Sequence, residues 1–195
     1  MTEQDVFNRV YAFTFQKEGK TSMDPNDPGN WTGGKRGVGI LKGTKYGISA
    51  GAYPHLDIQA LTPSEAKYLF YRDYWLAPRM HQIPDHQLAM RTFDLGVNCG
   101  QGTAIRMLQR AVNTVCCGSV DPLRAAPWRQ ALVRTFGGGT IRVDGAIGPI
   151  TLGTIKGCPY KTALQSALQG EAYKHYEKLD PLYVPGWLER LGSRI

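Results

Sequence analysis

The sequence predicts a mainly helical α+β protein with one small β-hairpin lobe near its front. Apolar residues recur at helical spacing over most of the chain, from Val6, Phe7 and Val10 to the segment 160–179. Residues 19–53 break that rhythm, being rich in glycine and carrying short β-type pieces, VGIL and YGIS. No internal repeat and no low-complexity linker interrupts the rest.

Each element has its own signal. Residues 2–18 read as an amphipathic helix, with Val6, Phe7, Val10, Tyr11 and Thr14 on one face. Thr2 and Asp5 stand at capping distance, and Gly19 supplies the stop. In LTPSEAKYLFYRDYW, Thr62 is an N-cap, Pro63 takes the first helical position and Glu65 completes a capping box. Past Pro84, Leu88, Ala89 and Phe93 continue the period to about Asn98, and a further helix is expected from Thr103 to Val112. A short helix around Trp128–Phe136, a turn into a helix at VDGAIGPITLGTI, a helix over 160–179 and a short one near Trp187 complete the chain. The layout resembles a lysozyme-like, two-lobed fold.

Composition limits the function. With 195 residues, 42% hydrophobic and 20% charged, the chain can bury a core, and no apolar stretch is long enough to span a membrane. The net charge of +7 favours a polyanionic partner. Lys and Arg form only short runs and no nucleic-acid motif appears, so nucleic acid is not expected. The start, MTEQDVFNRV, lacks the pattern of a secretory signal, so synthesis in the cytoplasm is expected. Cys99, Cys116, Cys117 and Cys158 contain no CxxC pair, and His55, His81, His86 and His175 are scattered without metal spacing. Free thiols and no metal or other cofactor are expected.

One carboxylate stands out. Glu18 falls at a predicted helix end, near the negative pole of the macrodipole and close to Phe15. Both influences raise a carboxyl pKa, as a general acid at neutral pH requires. Glycoside cleavage needs such an acid and a second group to handle water or positive charge. Asp24 and Asp27 follow closely. Without more, a glutamate there reads as a solvated helix-end residue, and each Asp-Pro as a turn former.

The stretch EGK…DPNDPGN…GTKYGIS resembles the signature of the glycoside hydrolase 108 family, N-acetylmuramidases that include phage endolysins. RTFDLGVNCGQGTAIRMLQRAVN with VDGAIGPITLGTI is similar to the peptidoglycan-binding module accompanying that family, matching at Asp94, Asn98, Gly100, Leu108, Gln109, Asp144, Gly145, Gly148, Pro149 and Thr151. Two departures stand against the pattern. Lys20 replaces the second glycine of Glu-Gly-Gly, and WTGGKRGVGILKG lengthens the path to Thr-x-Tyr-Gly-Ile. Residues 115–139 are also longer than the usual module.

The resemblance implies a peptidoglycan hydrolase that cleaves the β-1,4 bond between N-acetylmuramic acid and N-acetylglucosamine, without a cofactor. Glu18 becomes the catalytic acid. Asp27 is either its partner or a turn residue, and Asp24 is structural. Thr44 keeps the family context for the assisting threonine, whereas Thr32 keeps only the distance from Asp27. Tyr46 lines the sugar cleft or fills a half-buried strand position, and Asp94 and Asn98 bind substrate or pack helices. Residues 1–90 are expected to form the catalytic muramidase segment and 91–195 the helical peptidoglycan-binding-like segment, packed as one lysozyme-like unit. The expected partner is the glycan strand of peptidoglycan, met by a monomer after release through a holin-type or equivalent route. Two rivals remain: a lytic transglycosylase, which uses one glutamate and leaves anhydro-sugar ends, and a non-enzymatic wall-binding or secretion-assisting protein.

Overall fold

A computed structural model describes residues 1–15, 21–117, 140–179, 181, 184–193 and 195. Glu18, the Gly19 stop and the helix expected at Trp128–Phe136 lie outside the described residues. The described chain holds seven α-helices: α1 (Glu3–Phe15), α2 (Pro63–Phe70), α3 (His86–Cys99), α4 (Gln101–Cys116), α5 (Pro149–Gly157), α6 (Lys161–Tyr176) and α7 (Val184–Gly192). Two short strands, β1 (Thr44–Lys45) and β2 (Ile48–Ser49), make one antiparallel sheet. The expected α+β class, helical with a small hairpin, is what the chain adopts. No described helix is long and apolar enough to cross a membrane.

The contacts gather into two compact units, one of Met1–Val10 with Tyr74–Ile195 and the other of Tyr11–Asp73. In the larger unit α4 is central, with Ala104, Ile105, Met107, Leu108, Ala111 and Val112 all buried. Each side chain of Leu or Ile size contributes about 1.5–3 kcal/mol when fully buried. Phe7, Trp75 and Phe93 form a three-way aromatic cluster with centroids 5.9 Å apart in each pair. The Trp75 indole N–H is not wasted in that apolar setting, since it donates to Glu3 Oε1 at 2.8 Å.

α4 runs four residues beyond the expected end at Val112 because its last turn has tertiary partners. Asn113 Nδ2 donates to the Ile141 carbonyl at 2.8 Å, and the Ile141 N–H donates back to Asn113 Oδ1 at 2.7 Å. The helix expected to reach Trp75 instead ends at Phe70 and continues as a wider, π-helical turn over Tyr71–Leu76. Both predicted caps are present. Thr2 and Asp5 exchange hydrogen bonds, and Thr62 and Glu65 form a complete capping box.

The smaller unit packs Ile48, Ala50, Ile58, Leu61, Ala66, Leu69 and Phe70 inward. Its strands are joined by Tyr46-Gly47, with Lys45 opposite Ile48. Both loop residues have positive φ, 52° and 75°. That is the two-residue hairpin turn whose twist matches its strands, and glycine suits its second position. The VGIL piece forms no regular strand. Thr32 N–H donates to the Ile40 carbonyl, but Ile40 N–H is taken by the Thr32 hydroxyl at 2.8 Å. A side-chain oxygen thus replaces a backbone acceptor, and the ladder stops at an isolated Trp31–Leu41 bridge.

Candidate active site

The DPNDPGN segment is organised around a residue that sequence reading passed over. Asn30 is fully buried at 0% exposure. Its Nδ2 donates to the Asp24 carbonyl at 2.9 Å and to Ser22 Oγ at 3.2 Å. Its Oδ1 accepts the Thr44 hydroxyl proton at 2.7 Å, and its backbone carbonyl accepts from the N–H groups of Lys42 and Gly43, each at 3.0 Å. A buried amide so satisfied fixes its neighbours in place. The strand carrying Thr44 is thereby held against the loop carrying Asp24 and Asp27. Ser22 and Thr44 add a reciprocal pair of backbone hydrogen bonds at 2.8 and 2.9 Å.

Asp27 caps the short 3-10 turn Pro28–Asn30, its Oδ1 accepting from Gly29 N–H at 2.8 Å. The side chain is exposed, so one carboxylate oxygen serves the turn while the group still faces water. Asp24 builds a turn as expected, accepting from the backbone and side chain of Asn26. Thr32 sits on the irregular hairpin, with its hydroxyl committed to Ile40. Tyr46 occupies the left-handed turn position, half-buried, with Lys45 Nζ 5.4 Å from its ring centroid.

The last described turn of α1, immediately before the segment with Glu18, is aromatic. Phe15 lies 4.3 Å from Phe70 and 4.6 Å from Tyr11, centroid to centroid. Burial pushes the Tyr11 phenol above its ordinary pKa. The same unit holds a polar cluster that the sequence did not announce. Tyr53 OH donates to Asp73 Oδ2 at 2.8 Å, and Arg72 reaches both oxygens of Asp73 at 2.6 and 2.7 Å. The Arg72 hydrogen bonds hold the Asp73 carboxyl below the usual range.

The remaining expected site residues belong to the larger unit. Asp94, only 2% exposed, is engaged by Arg190 at 2.7 Å, with Arg91 at 3.9 Å. That pair ties α7 to α3. Asn98 is half-buried, and its Nδ2 is enclosed without a hydrogen-bond partner among the described residues. The structure therefore brings together Thr44, Asn30 and the Asp24–Asp27 loop, while Asp94 is spent on a helix-packing ion pair.

The DG-x-I-G-P turn is also built from within. Buried Gln109 donates from Nε2 to Asp144 Oδ1 and to the Ala146 carbonyl, and accepts the Gly145 N–H. The Gln109 hydrogen bond is the main reason the Asp144 carboxyl is lowered from its ordinary pKa.

Comparison with known proteins places this geometry. No curated protein matches the chain. The solved structure of Brucella abortus SagA is similar in fold, with a TM-score of 0.66 at 20% identity, covering 96% of this chain and 90% of that one. The family model Glycosyl hydrolase 108 matches residues 11–100. Residues 11–100, with the Asn30–Thr44 network inside them, are thus similar to a family of glycoside hydrolases.

Proposed function

We propose that the protein is an N-acetylmuramidase that hydrolyses the β-1,4 bond between N-acetylmuramic acid and N-acetylglucosamine in peptidoglycan. The observation that carries this reading is the family match over residues 11–100, which spans Glu18, Asp27 and Thr44 together. Glu18 is assigned as the general acid on the leaving oxygen. Phe15, Tyr11 and Phe70 supply the apolar surroundings of the preceding turn, the kind of environment that keeps a carboxyl protonated near neutral pH. Thr44 is assigned to position water or a sugar hydroxyl, with Asn30 fixing its rotamer. Tyr46 is assigned to a sugar face, Thr32 to shaping the hairpin, and Asp94 to packing.

In this reading residues 1–90 are the catalytic segment and 91–195 the wall-binding-like one. The net charge of +7 draws the protein to the anionic wall, an attraction that weakens with salt. The protein acts as a monomer after leaving the cytoplasm, in the manner of an endolysin, and lyses bacteria by degrading the wall. It works without a cofactor.

One observation favours a second reading. Asp27 uses a carboxylate oxygen to cap its own turn, which suits a one-glutamate lytic transglycosylase. Digestion of purified peptidoglycan by wild type and Glu18→Gln, with mass analysis of the products, decides the matter. Hydrolysis gives reducing muramic acid ends, and the variant should lose about 100-fold or more in rate. Anhydromuramic ends would establish the transglycosylase instead. Equal activity in both proteins would remove Glu18 from its role, and inactivity in both would leave a wall-binding protein.

A further inference from the structure

The lengthened segment WTGGKRGVGILKG, in the smaller unit, presents side chains that no catalytic assignment uses. It folds back on itself as a closed loop. Thr32 N–H donates to the Ile40 carbonyl at 3.0 Å, and Gly33 N–H to the Val38 carbonyl at 3.1 Å. At the tip, Val38 N–H donates to the Lys35 carbonyl at 3.0 Å. That bond closes a turn whose third position is Gly37, at a φ of 75° that glycine adopts without strain. Val38 lies against bare backbone, since a Cβ on Gly33 would stand 2.5 Å from its Cγ1. The loop holds its shape by its own hydrogen bonds, so little ordering entropy is lost when it meets a partner.

What it presents is amphipathic. Every residue from Gly33 to Ile40 is exposed. Val38 is 49% exposed and Ile40 65%, and among the described residues only Met1 is a more exposed large apolar side chain than Ile40. Lys35 and Arg36 share the turn with Val38, and their side chains have no hydrogen bond or ion pair among the described residues. The surrounding sequence does not answer their charge. No Asp or Glu occurs between Asp27 and Asp57, a span that also carries Lys42 and Lys45. Those two lysines donate to the neutral carbonyls of Pro54, Leu56 and Gln59 and so keep their charge.

Exposed aliphatic side chains beside unanswered cations fit a surface that is anionic at its top and apolar just beneath. We propose that this loop adsorbs to an anionic phospholipid surface, with Val38 and Ile40 at the boundary of headgroups and acyl chains and Lys35 and Arg36 on the lipid phosphates. A protein partner fits less well. Half of the residues from Gly33 to Ile40 are glycine, whereas a stable protein interface takes about 800 Å² from each partner. A lipid surface asks for no such shape complementarity. The contact is interfacial and reversible, and it does not depend on what the protein cleaves.

The test sediments the full chain with vesicles of equimolar phosphatidylglycerol and phosphatidylcholine, beside vesicles of phosphatidylcholine alone. Wild type should bind the anionic vesicles about tenfold or more tightly than the neutral ones, and high salt should weaken that binding. Lys35→Gln/Arg36→Gln should weaken it about tenfold or more. So should Val38→Ser/Ile40→Ser, which leaves the charge unchanged. A net charge of +7 attracts such vesicles on its own, so Lys156→Gln/Lys178→Gln removes the same charge from exposed positions of the larger unit. That control should stay within about twofold of wild type, because a cation that does not touch the lipid is largely screened. Both tip pairs are exposed, so their variants should melt like wild type and keep whatever lysis of lipid-free peptidoglycan wild type shows. Absence of vesicle binding by wild type would overturn the proposal, as would equal binding to neutral vesicles or full binding by the serine pair. A loss as large in the control would reduce the attraction to net charge and overturn it too. Loss of lysis on lipid-free peptidoglycan would give the tip to the glycan, and a wild-type dimer that the serine pair dissolves would give it to a second copy; either result would sink the lipid assignment.

Discussion

Thr44 donates its hydroxyl proton to Asn30 Oδ1 at 2.7 Å, so the strand that carries Thr44 and the loop that carries Asp27 meet on one buried amide. Removing either partner has different consequences. Thr44→Ala leaves one acceptor of Asn30 unanswered and should destabilise by about 1–2 kcal/mol, with a much larger loss of wall lysis. Asn30→Ala breaks the contacts to Ser22, Asp24 and Thr44 together and should cost about 3 kcal/mol or more. Thr32→Ala removes only the acceptor for Ile40 N–H and should leave lysis nearly intact. Lysis rates and denaturant melts of the three variants check the order. A larger activity loss in Thr32→Ala than in Thr44→Ala would reverse the assignment.

Asp27 separates charge from geometry. Asparagine is as good a cap as aspartate, so Asp27→Asn keeps the Gly29 contact while removing the negative charge. If the carboxylate stabilises charge on the sugar, this variant melts like wild type and loses activity about 100-fold. If it only caps the turn, Asp27→Asn stays active and Asp27→Ala loses about 1 kcal/mol of stability.

Tyr46 offers the opposite split. Its φ of 52° is costly for tyrosine and natural for asparagine or glycine. Tyr46→Asn should be neutral or stabilising by up to about 1 kcal/mol, while KM for peptidoglycan rises. Melting temperature and steady-state kinetics on the same preparation read both effects. A gain in stability with unchanged KM would leave the ring without a substrate role.

Asp94→Ala leaves Arg190 and Arg91 facing a vacated site and should cost about 3–5 kcal/mol. Activity measured well below the variant's melting temperature should remain close to wild type, because the carboxylate packs helices. A kcat that stays low while the fold is intact would return Asp94 to the substrate.

Burial pushes the Cys99 thiol up to about 11 and drives that of Cys116 higher still. A raised thiol stays protonated at neutral pH, and the thiolate is the reactive form. Iodoacetamide should therefore label both slowly in the native protein at pH 7.5 and quickly in denaturant, as mass spectrometry of peptides would show. Rapid native labelling of the half-buried Cys99 would contradict its raised pKa.

What the sequence disclosed followed the length scale of each signal. The Thr62–Glu65 box and the Thr2–Asp5 cap are contained within three residues, and both formed as read. The helical period located α3 and α6 to within a few residues. By contrast, the end of α4 depends on Asn113 meeting Ile141, and the place of Thr44 on Asn30. These are contacts across 28 and 14 residues made by ordinary turn-type side chains, for which no local pattern exists. Asp94 shows the limit most clearly: a polar pair one helical turn apart has the same spacing whether its partner is a sugar or Arg190, 96 residues away.

The wide turn at Tyr71–Leu76 makes the chain's phase there a matter of counting. In an α-helix each residue advances the side chains by about 100° around the axis. A π turn absorbs residues without that regular advance, which is how Trp75 comes to point at Phe7 and Phe93 while Arg72 stays outside. Deleting a single residue from this stretch would restore ordinary helical spacing and swing the indole off its aromatic neighbours. The fold should therefore tolerate conservative substitutions in this turn far better than the loss of one position.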